Sequence, residues 1–278
     1  METFTSYDGT RLAYRTLGRG PVLVCVPGGP GRAAEYLGSL GELSRHRTLV
    51  LLDNRGTGGS ETPADLTTCR VDRLVLDVEA LRAHLGLDRM DLLGHSAGGG
   101  VAFLYADAHP ERLSHLALVC PSLAALGLPS DLGVEKVLAS RSAEPWYGTA
   151  LPAYHAMRAA ASFAEAEPHR LAFEPLMYGR WTDEARAHAQ ADARQRSLPA
   201  SDTFYAGYRP SPLRLDRVEA PVLVLAGELD LWPTAEGAAQ AVPLFGEARL
   251  HVQPGAGHYP WLDDPSAFAA AVEAFLAS

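Results

Sequence analysis

The chain has 278 residues, 47% of them hydrophobic and 21% charged, as is typical of a soluble globular protein. Its formal charge of −9, with acidic and basic residues interspersed, disfavours nucleic acid and anionic membranes as partners, because both attract basic patches. The apolar runs are too short to cross a bilayer, and the chain does not begin with a secretory pattern, so we expect a cytoplasmic protein.

The first 120 residues predict alternating strands and helices. The opening segment alternates in polarity around Asp8-Gly9, which is a hairpin signal. Continuous apolar runs then predict buried strands, and apolar residues at helical spacing predict helices. The predicted strands span 22–26, 48–52, 90–93 and 113–119, and the predicted helices span 71–85 and 97–109.

The pattern changes between residues 122 and 215, where prolines, aromatic residues and short Ala/Arg-rich helical stretches replace the strands. Alternation then returns, with strands at 222–226 and 249–252 and helices at 235–241 and 265–276. Such alternation predicts a parallel sheet covered on both faces. We therefore predict an α/β core of residues 1–121 and 216–278. The segment 122–215 is too long for a plain loop and is predicted to be an inserted helical cap.

One serine lies among glycines between a predicted strand and a predicted helix. Residues 94–98 are Gly-His-Ser-Ala-Gly, the G-x-S-x-G pattern of a nucleophile elbow, in which a strained turn exposes the serine hydroxyl. A side chain at Gly94 or Gly98 would collide with the neighbouring strand or helix. From this pentapeptide alone, a serine that simply caps a helix is the alternative interpretation.

A serine hydroxyl becomes a nucleophile when a base removes its proton, and the base needs an orienting acid. Asp230 and His258 each follow a predicted strand, in the chain order Ser, Asp, His that this type of sheet uses. The carboxyl ends of parallel strands meet at one edge of the sheet. We therefore predict a catalytic triad of Ser96, Asp230 and His258.

Three acidic residues near the triad have other predicted roles. Glu228 is the alternative acid, although Asp230 lies deeper in its loop. Asp263 and Asp264 are predicted to cap the helix that Pro265 begins.

These motifs resemble those of α/β-hydrolases over nearly the whole chain. The resemblance implies an eight-stranded, mostly parallel sheet, with an oxyanion hole made by the backbone N–H groups of Ala97 and Gly29. The segments "PGGPG" at 27–31 and "DNRGTGGS" at 53–60 are similar to the H-G-G-P-G and D-Q-R-G-x-G-x-S motifs of the proline iminopeptidase subgroup. By this similarity, Asp53, Arg55 and Ser60 brace the glycine loop and do not contact substrate.

Two residues depart from the subgroup pattern. Pro27 stands where the subgroup has histidine, and Ala97 stands where the peptidases usually have tryptophan. Ala97 leaves more room beside the nucleophile, as in many esterases and lactonases.

Substrate recognition is assigned to the cap. In the iminopeptidases, cap glutamates hold the free amine of the substrate, and this cap offers Glu144, Glu165, Glu167, Glu174 and Glu184. Glu174 is the preferred amine-binding candidate because aromatic and apolar residues border it. Further candidates for substrate contact are Trp232, Trp261, Tyr147 and Tyr205, although the cap aromatics could instead form the cap's own small core.

We expect no metal ion and no cofactor, because the histidines and the three cysteines show no ligand spacing. His95 is expected to pack or hydrogen bond locally, pointing away from His258.

The sequence thus predicts a serine hydrolase that cleaves an amide or ester bond of a small molecule or short peptide. Iminopeptidase-like amide hydrolysis is the preferred hypothesis, ahead of carboxylesterase or lactonase action. A ligand-binding receptor that keeps the hydrolase fold without catalysis is the alternative from another class.

Overall fold

The computed structural model describes all residues from Met1 to Ser278. Its strands are β1 (Glu2–Thr5), β2 (Arg11–Gly18), β3 (Val22–Val26), β4 (Thr48–Asp53), β5 (Met90–His95), β6 (Leu113–Val119), β7 (Val222–Gly227) and β8 (Ala248–Gln253). Its helices are α1 (Val71–His84), α2 (Ala97–Ala108), α3 (Val134–Ser140), α4 (Tyr147–Ala159), α5 (Phe163–Phe173), α6 (Asp183–Gln195), α7 (Leu198–Phe204), α8 (Ala235–Ala239), α9 (Pro260–Asp263) and α10 (Pro265–Leu276). Short 3-10 turns lie between many of them.

The eight strands form one sheet in the order β1-β2-β4-β3-β5-β6-β7-β8. Strand β2 pairs antiparallel with both β1 and β4, and every other pairing is parallel. The central strands are continuous apolar runs because both of their faces are buried. The predicted eight-stranded, mostly parallel sheet is confirmed.

Helices cover both faces of the sheet. Alternate residues of β3 divide between two hydrophobic clusters: Val24 and Val26 face α1, α2 and α8, whereas Leu23 and Cys25 face α10. The second cluster continues into the segment between β6 and β7 through Tyr154, Phe173 and Tyr178. That segment therefore shares a core with the sheet.

The segment between β6 and β7 contains helices α3 to α7 and no strand. We call this segment the cap. It packs over the carboxyl ends of the central strands, where it encloses a cavity together with the core loops. No helix of the chain is both long enough and apolar enough to cross a membrane.

Candidate active site

Ser96 occupies a strained turn between β5 and α2. Its φ of 53° and ψ of −121° define a backbone conformation that residues other than glycine rarely adopt. The turn also depends on its glycines, since a Cβ on Gly98 would lie 2.2 Å from the carbonyl oxygen of Val26, and one on Gly94 would lie 2.6 Å from that of Gly98. This tight packing leaves the Ser96 hydroxyl at the carboxyl end of β5, facing the cavity.

The predicted triad residues lie within hydrogen-bond distance of one another. Nε2 of His258 is 2.8 Å from Oγ of Ser96, and Nδ1 of His258 is 2.8 Å from Oδ2 of Asp230. The other carboxylate oxygen of Asp230 accepts the backbone N–H of Trp232 at 2.9 Å. Glu228, the alternative acid, instead accepts the backbone N–H of Gly255. This geometry allows His258 to take a proton from Ser96 while Asp230 fixes its tautomer.

Two backbone donors face the cavity beside Ser96. Ala97 is the first residue of α2, so its N–H has no acceptor within the helix. The N–H of Gly29 makes no hydrogen bond inside the protein, whereas that of Gly28 donates to the hydroxyl of Tyr36 at 2.7 Å. Gly29 has a φ of +117°, and a Cβ there would collide with Arg32. The arrangement leaves Gly29, and not Gly28, with a free donor.

His95 lies directly beneath the loop of His258. Its Nε2 donates to the backbone carbonyl of His258 at 2.9 Å, and its Nδ1 accepts the hydroxyl of Tyr36 at 2.7 Å. Burial, and then the neighbouring His258, lower the pKa of His95 well below its usual range, so the ring stays neutral. The expected local hydrogen bonding is therefore found. The expectation that this side chain points away from His258 is wrong, because the two ring centroids are 4.9 Å apart.

The cavity above Ser96 has a volume of about 480 Å³. Its floor includes Gly29, Ser96, Ala97 and His258. Of the predicted substrate contacts, Glu174, Trp232 and Tyr205 line it, and the hydroxyl of Tyr205 is 2.9 Å from that of Ser122. Further cap residues complete the wall, among them Met157, Phe163, Glu167, Arg170, Phe173 and Met177.

Two predicted substrate contacts lie outside the cavity. Trp261 is 2% exposed and packs against the rings of His95 and Phe268. Helix α9 places this side chain beneath His258 and not against the cavity. Tyr147 begins α4 away from the cavity wall. Proximity in sequence to a triad residue, or an aromatic side chain in the cap, is not enough to bring a side chain to the cavity.

Glu174 is buried in the cavity wall among cationic side chains. Its Oε1 accepts from Nη1 of Arg170 at 3.3 Å, and its Oε2 has no partner. Burial, and then the charge of Asp192, raise the pKa of Glu174 to about 7, although Arg170 and Arg32 oppose this shift. The carboxyl group therefore stays protonated to a higher pH than an ordinary glutamate does.

Asp263 does not have its predicted capping role. Asp264 caps α10 by accepting the N–H of Ala267, whereas the carboxylate of Asp263 accepts the backbone N–H groups of Gly179, Arg180 and Gly257. Asp263 thereby joins the cap to the loop that carries His258. Its partner in the cap lies 84 positions away, so no local sequence pattern marks this contact.

Cys120, Asp230 and His258 are three potential metal ligands whose donor atoms lie within 4.8 Å of one another. Both ring nitrogens of His258 already face Ser96 and Asp230. Burial raises the pKa of the Cys120 thiol well above its usual range, which disfavours the thiolate that a metal requires. This donor set does not fit a metal ion.

Of the three motif residues expected to brace the glycine loop, only Asp53 bonds close to that loop, through the N–H of Ala34. Asp53 accepts the backbone N–H groups of Ala34 and Gly59, and Ser60 donates to the carbonyl of Asp53. Arg55 is buried against Asp77 and Asp8, away from the cavity.

A parallel α/β sheet with a serine at a strand-to-helix elbow, and with histidine and aspartate on later loops, defines a hydrolase-type architecture. The family model described as "alpha/beta hydrolase fold" matches residues 21–265, and the chain belongs to this family.

The chain is similar to a proline iminopeptidase of Heyndrickxia coagulans, with 32% identity over 127 residues, which cover 45% of this chain and 44% of that relative. The match thus spans less than half of the relative's length. Among solved structures, the esterase RhEst1 from Rhodococcus sp. is 25% identical with a TM-score of 0.75, covering 100% of this chain and 98% of that one. A proline iminopeptidase of Mycobacterium smegmatis is 22% identical with a TM-score of 0.74, covering 99% and 97%.

Proposed function

We propose that this protein is a serine hydrolase that works through an acyl-enzyme. The observation that supports this most directly is the continuous chain of hydrogen bonds from Ser96 through His258 to Asp230, with 2.8 Å at each link. His258 accepts the proton of Ser96 as the hydroxyl attacks an acyl carbonyl. Asp230 stabilises the resulting imidazolium.

The developing oxyanion is bound by the N–H groups of Ala97 and Gly29, each worth about 3 kcal/mol to the transition state. His258 then returns its proton to the leaving group, and the bond from the carbonyl to that group breaks. Water, deprotonated by His258, attacks the acyl-enzyme and regenerates Ser96. No step requires a metal ion or an organic cofactor.

The proposed substrate is a small amide with a free amino group, as in iminopeptidase action on a short peptide. Glu174 supports this proposal, since this residue lines the cavity and its buried Oε2 has no hydrogen-bond partner that an ammonium group would have to displace. The similarity to proline iminopeptidases of other organisms points in the same direction.

Ester hydrolysis is the second candidate, and a specific observation favours it. The guanidinium groups of Arg32, Arg170 and Arg196 line the same cavity as Glu174 and oppose the binding of an ammonium group. An ester without an amine does not meet this opposition. The small side chain of Ala97 also leaves room beside Ser96, and the fold similarity includes an esterase.

The mechanism is tested with a fluorophosphonate probe, which phosphonylates an activated serine. We expect the wild-type protein to be labelled and Ser96→Ala to be inert. Ser122→Ala is the matched control, because Ser122 lines the same cavity but bonds to Tyr205 and not to His258. Absence of labelling in folded wild-type protein would contradict the proposal and favour a non-catalytic receptor.

The substrate class is tested by assaying proline and alanine arylamides beside short-chain aryl esters. Turnover of the arylamides supports the amine-binding proposal. Rapid ester turnover with inert arylamides would replace it with ester hydrolysis.

A further inference from the structure

The glycine loop at residues 28–32, which we call the oxyanion loop, is held from above by the cap. The backbone N–H of Ser197 donates to the carbonyl of Gly31 at 2.9 Å, and the hydroxyl of Ser201 donates to that of Pro30 at 2.6 Å. Directly after the loop, the N–H of Ala33 donates to the carbonyl of Gln195 at 2.9 Å. The chain from the end of α6 into α7 therefore runs along the loop like a neighbouring strand.

Two arginines cross between the loop and the cap in opposite directions. Arg196, from the cap, donates through Nη1 to the carbonyls of both Gly29 and Pro30. Arg32, from the loop, reaches into the cap, where Nε donates to Oε1 of Gln195 and Nη2 donates to the carbonyl of His188, both at 2.9 Å. The carbonyls of Gly29, Pro30 and Gly31 are thus all bound by cap residues.

One carboxylate holds these arginines. Asp192 is 1% exposed and forms a two-pronged ion pair with Arg196 at 2.6 and 2.7 Å. Its oxygens also lie 3.3 Å from Nε of Arg32 and 3.5 Å from Nε of Arg170. Burial acts to raise the pKa of Asp192, but the hydrogen bonds and charge of Arg196, with the charges of Arg32 and Arg170, outweigh it and lower the pKa. The carboxylate is therefore ionised at neutral pH.

The cap and the core bind different backbone groups of the oxyanion loop. The cap binds three of its carbonyls, Tyr36 in the core binds the N–H of Gly28, and the N–H of Gly29 remains free beside Ser96. Gly29 has a φ of +117° and lacks a side chain that could restrict its rotation. The Gly29 N–H lies in the peptide that joins Gly28 to Gly29, and rotation about φ of Gly29 couples this peptide to the next one, whose carbonyl the cap holds. The bond from Tyr36 on one side and the bond from the cap on the other therefore set the direction of the free donor.

We propose that Asp192 and Arg196 are positioning residues for the oxyanion hole, acting on the transition state from the cap side by fixing the Gly29 carbonyl and, through φ of Gly29, the direction of its N–H. This inference rests on the proposed function, because it requires an oxyanion to form at Ser96. Neither side chain touches the reacting atoms. Asp192 orients Arg196, and Arg196 orients Gly29.

The test compares Asp192→Asn and Arg196→Gln with Asp183→Asn, a matched control on the same helix. Asp183 pairs with Arg186 at 2.6 Å on the exposed face of α6, away from the loop. We expect kcat to fall about 100-fold in the first two variants, as loss of an oxyanion donor does elsewhere, with KM changed less than about threefold. Labelling by the fluorophosphonate probe should slow by a similar factor, because the phosphonyl oxygen uses the same donors. Arg196→Lys, which keeps the charge opposite Asp192, should recover part of the loss.

The control should stay within about twofold of wild type. A kcat within threefold of the control in folded Arg196→Gln overturns the inference, as does a loss that falls on KM alone. If Asp192→Asn does not fold, Arg196→Gln decides, since removing this partly exposed side chain leaves Asp192 paired with Arg32 and Arg170. Failure of the wild-type protein to be labelled at Ser96 would refute the proposed function itself, an outcome distinct from unchanged kcat in these variants.

Discussion

The sheet core and the cap hold the proposed catalytic groups by different physical means. In the core, Ser96 is placed by strained backbone and by glycines that allow close contact, and β7 and β8 bring Asp230 and His258 to the same edge. In the cap, charged side chains such as Asp192 and Arg196 make the contacts. Backbone geometry does not change with pH, whereas ion pairs and buried carboxyls do. Under the proposed function, the core supplies reactivity, and the cap is the part through which geometry and selectivity can be tuned.

Substitution of the core acid should have the largest effect. Asp230→Asn preserves the shape of the side chain, but its amide cannot favour the imidazolium and supports the wrong tautomer of His258. We expect kcat to fall by about 10³ to 10⁴-fold with little change in KM. Glu228→Gln, in the same loop but bonded to Gly255, should retain activity. A loss of less than tenfold in Asp230→Asn would mean that this acid does not orient the base.

The buried cap carboxyl should make stability depend on pH. The pKa of Glu174 rises from its ordinary 4.5 to about 7 on folding, so the folded protein binds more protons between these pH values. Stability must then fall as pH rises from about 4.5 to about 7. Relative to Glu174→Gln, the wild-type protein should lose on the order of 3 kcal/mol over this range. Chemical denaturation at pH 5 and pH 8 measures the change.

Exposed Glu184 provides the control, since Glu184→Gln should follow the wild-type pH dependence. Parallel curves for wild type and Glu174→Gln would show that Glu174 does not titrate in this range.

The same titration should appear in substrate choice: if Glu174 binds an amine, the ratio of arylamide to ester kcat/KM rises through pH 7 in wild type and stays flat in Glu174→Gln. Taking this ratio cancels any pH dependence of the chemical step that both reactions share.

The smallest effect is expected for Tyr36, which connects the two catalytic loops from below. Its hydroxyl accepts from Gly28 and donates to His95, which in turn donates to the carbonyl of His258. Tyr36→Phe keeps the ring but removes both bonds, so we expect kcat to fall about tenfold with KM unchanged. Tyr208→Phe, which loses one hydrogen bond to Ala125 outside the cavity, is the control. Equal kcat in the two variants would restrict the Tyr36 hydroxyl to a structural role.

The core was largely predictable from sequence because its signals are local. Apolar runs and helical spacing gave strand and helix bounds within two residues of those observed, as in Val22–Val26 and Pro265–Leu276. The glycine pattern around Ser96 reflects contacts with adjacent elements, so it too is visible in a short stretch. Chain order and strand ends then led to Asp230 and His258.

The contacts between loops and cap were not predictable, since each depends on a partner far along the chain. Asp263 looks like a helix cap until Gly179 and Gly257 are found beside it. Trp261 lies three residues from His258 but on the side away from the cavity. Arg196 and Asp192 are residue types typical of a solvated helix face. Only the packing of the end of α6 over the oxyanion loop buries Asp192 and leaves Arg196 partly exposed.

The backbone of His258 is itself attached to the cap. Its N–H donates to the carbonyl of Met177 at 2.7 Å, and a Cβ on Gly257 would lie 2.5 Å from that same oxygen. A cap that swung open as a rigid lid would therefore detach His258, the proposed general base. We expect substrates to enter by rearrangement of side chains at the rim, with residues 177–179 staying in place. For protein engineering, the cap is then not an exchangeable module: a chimera that transplants a foreign cap onto this sheet must also rebuild the anchor of its own base.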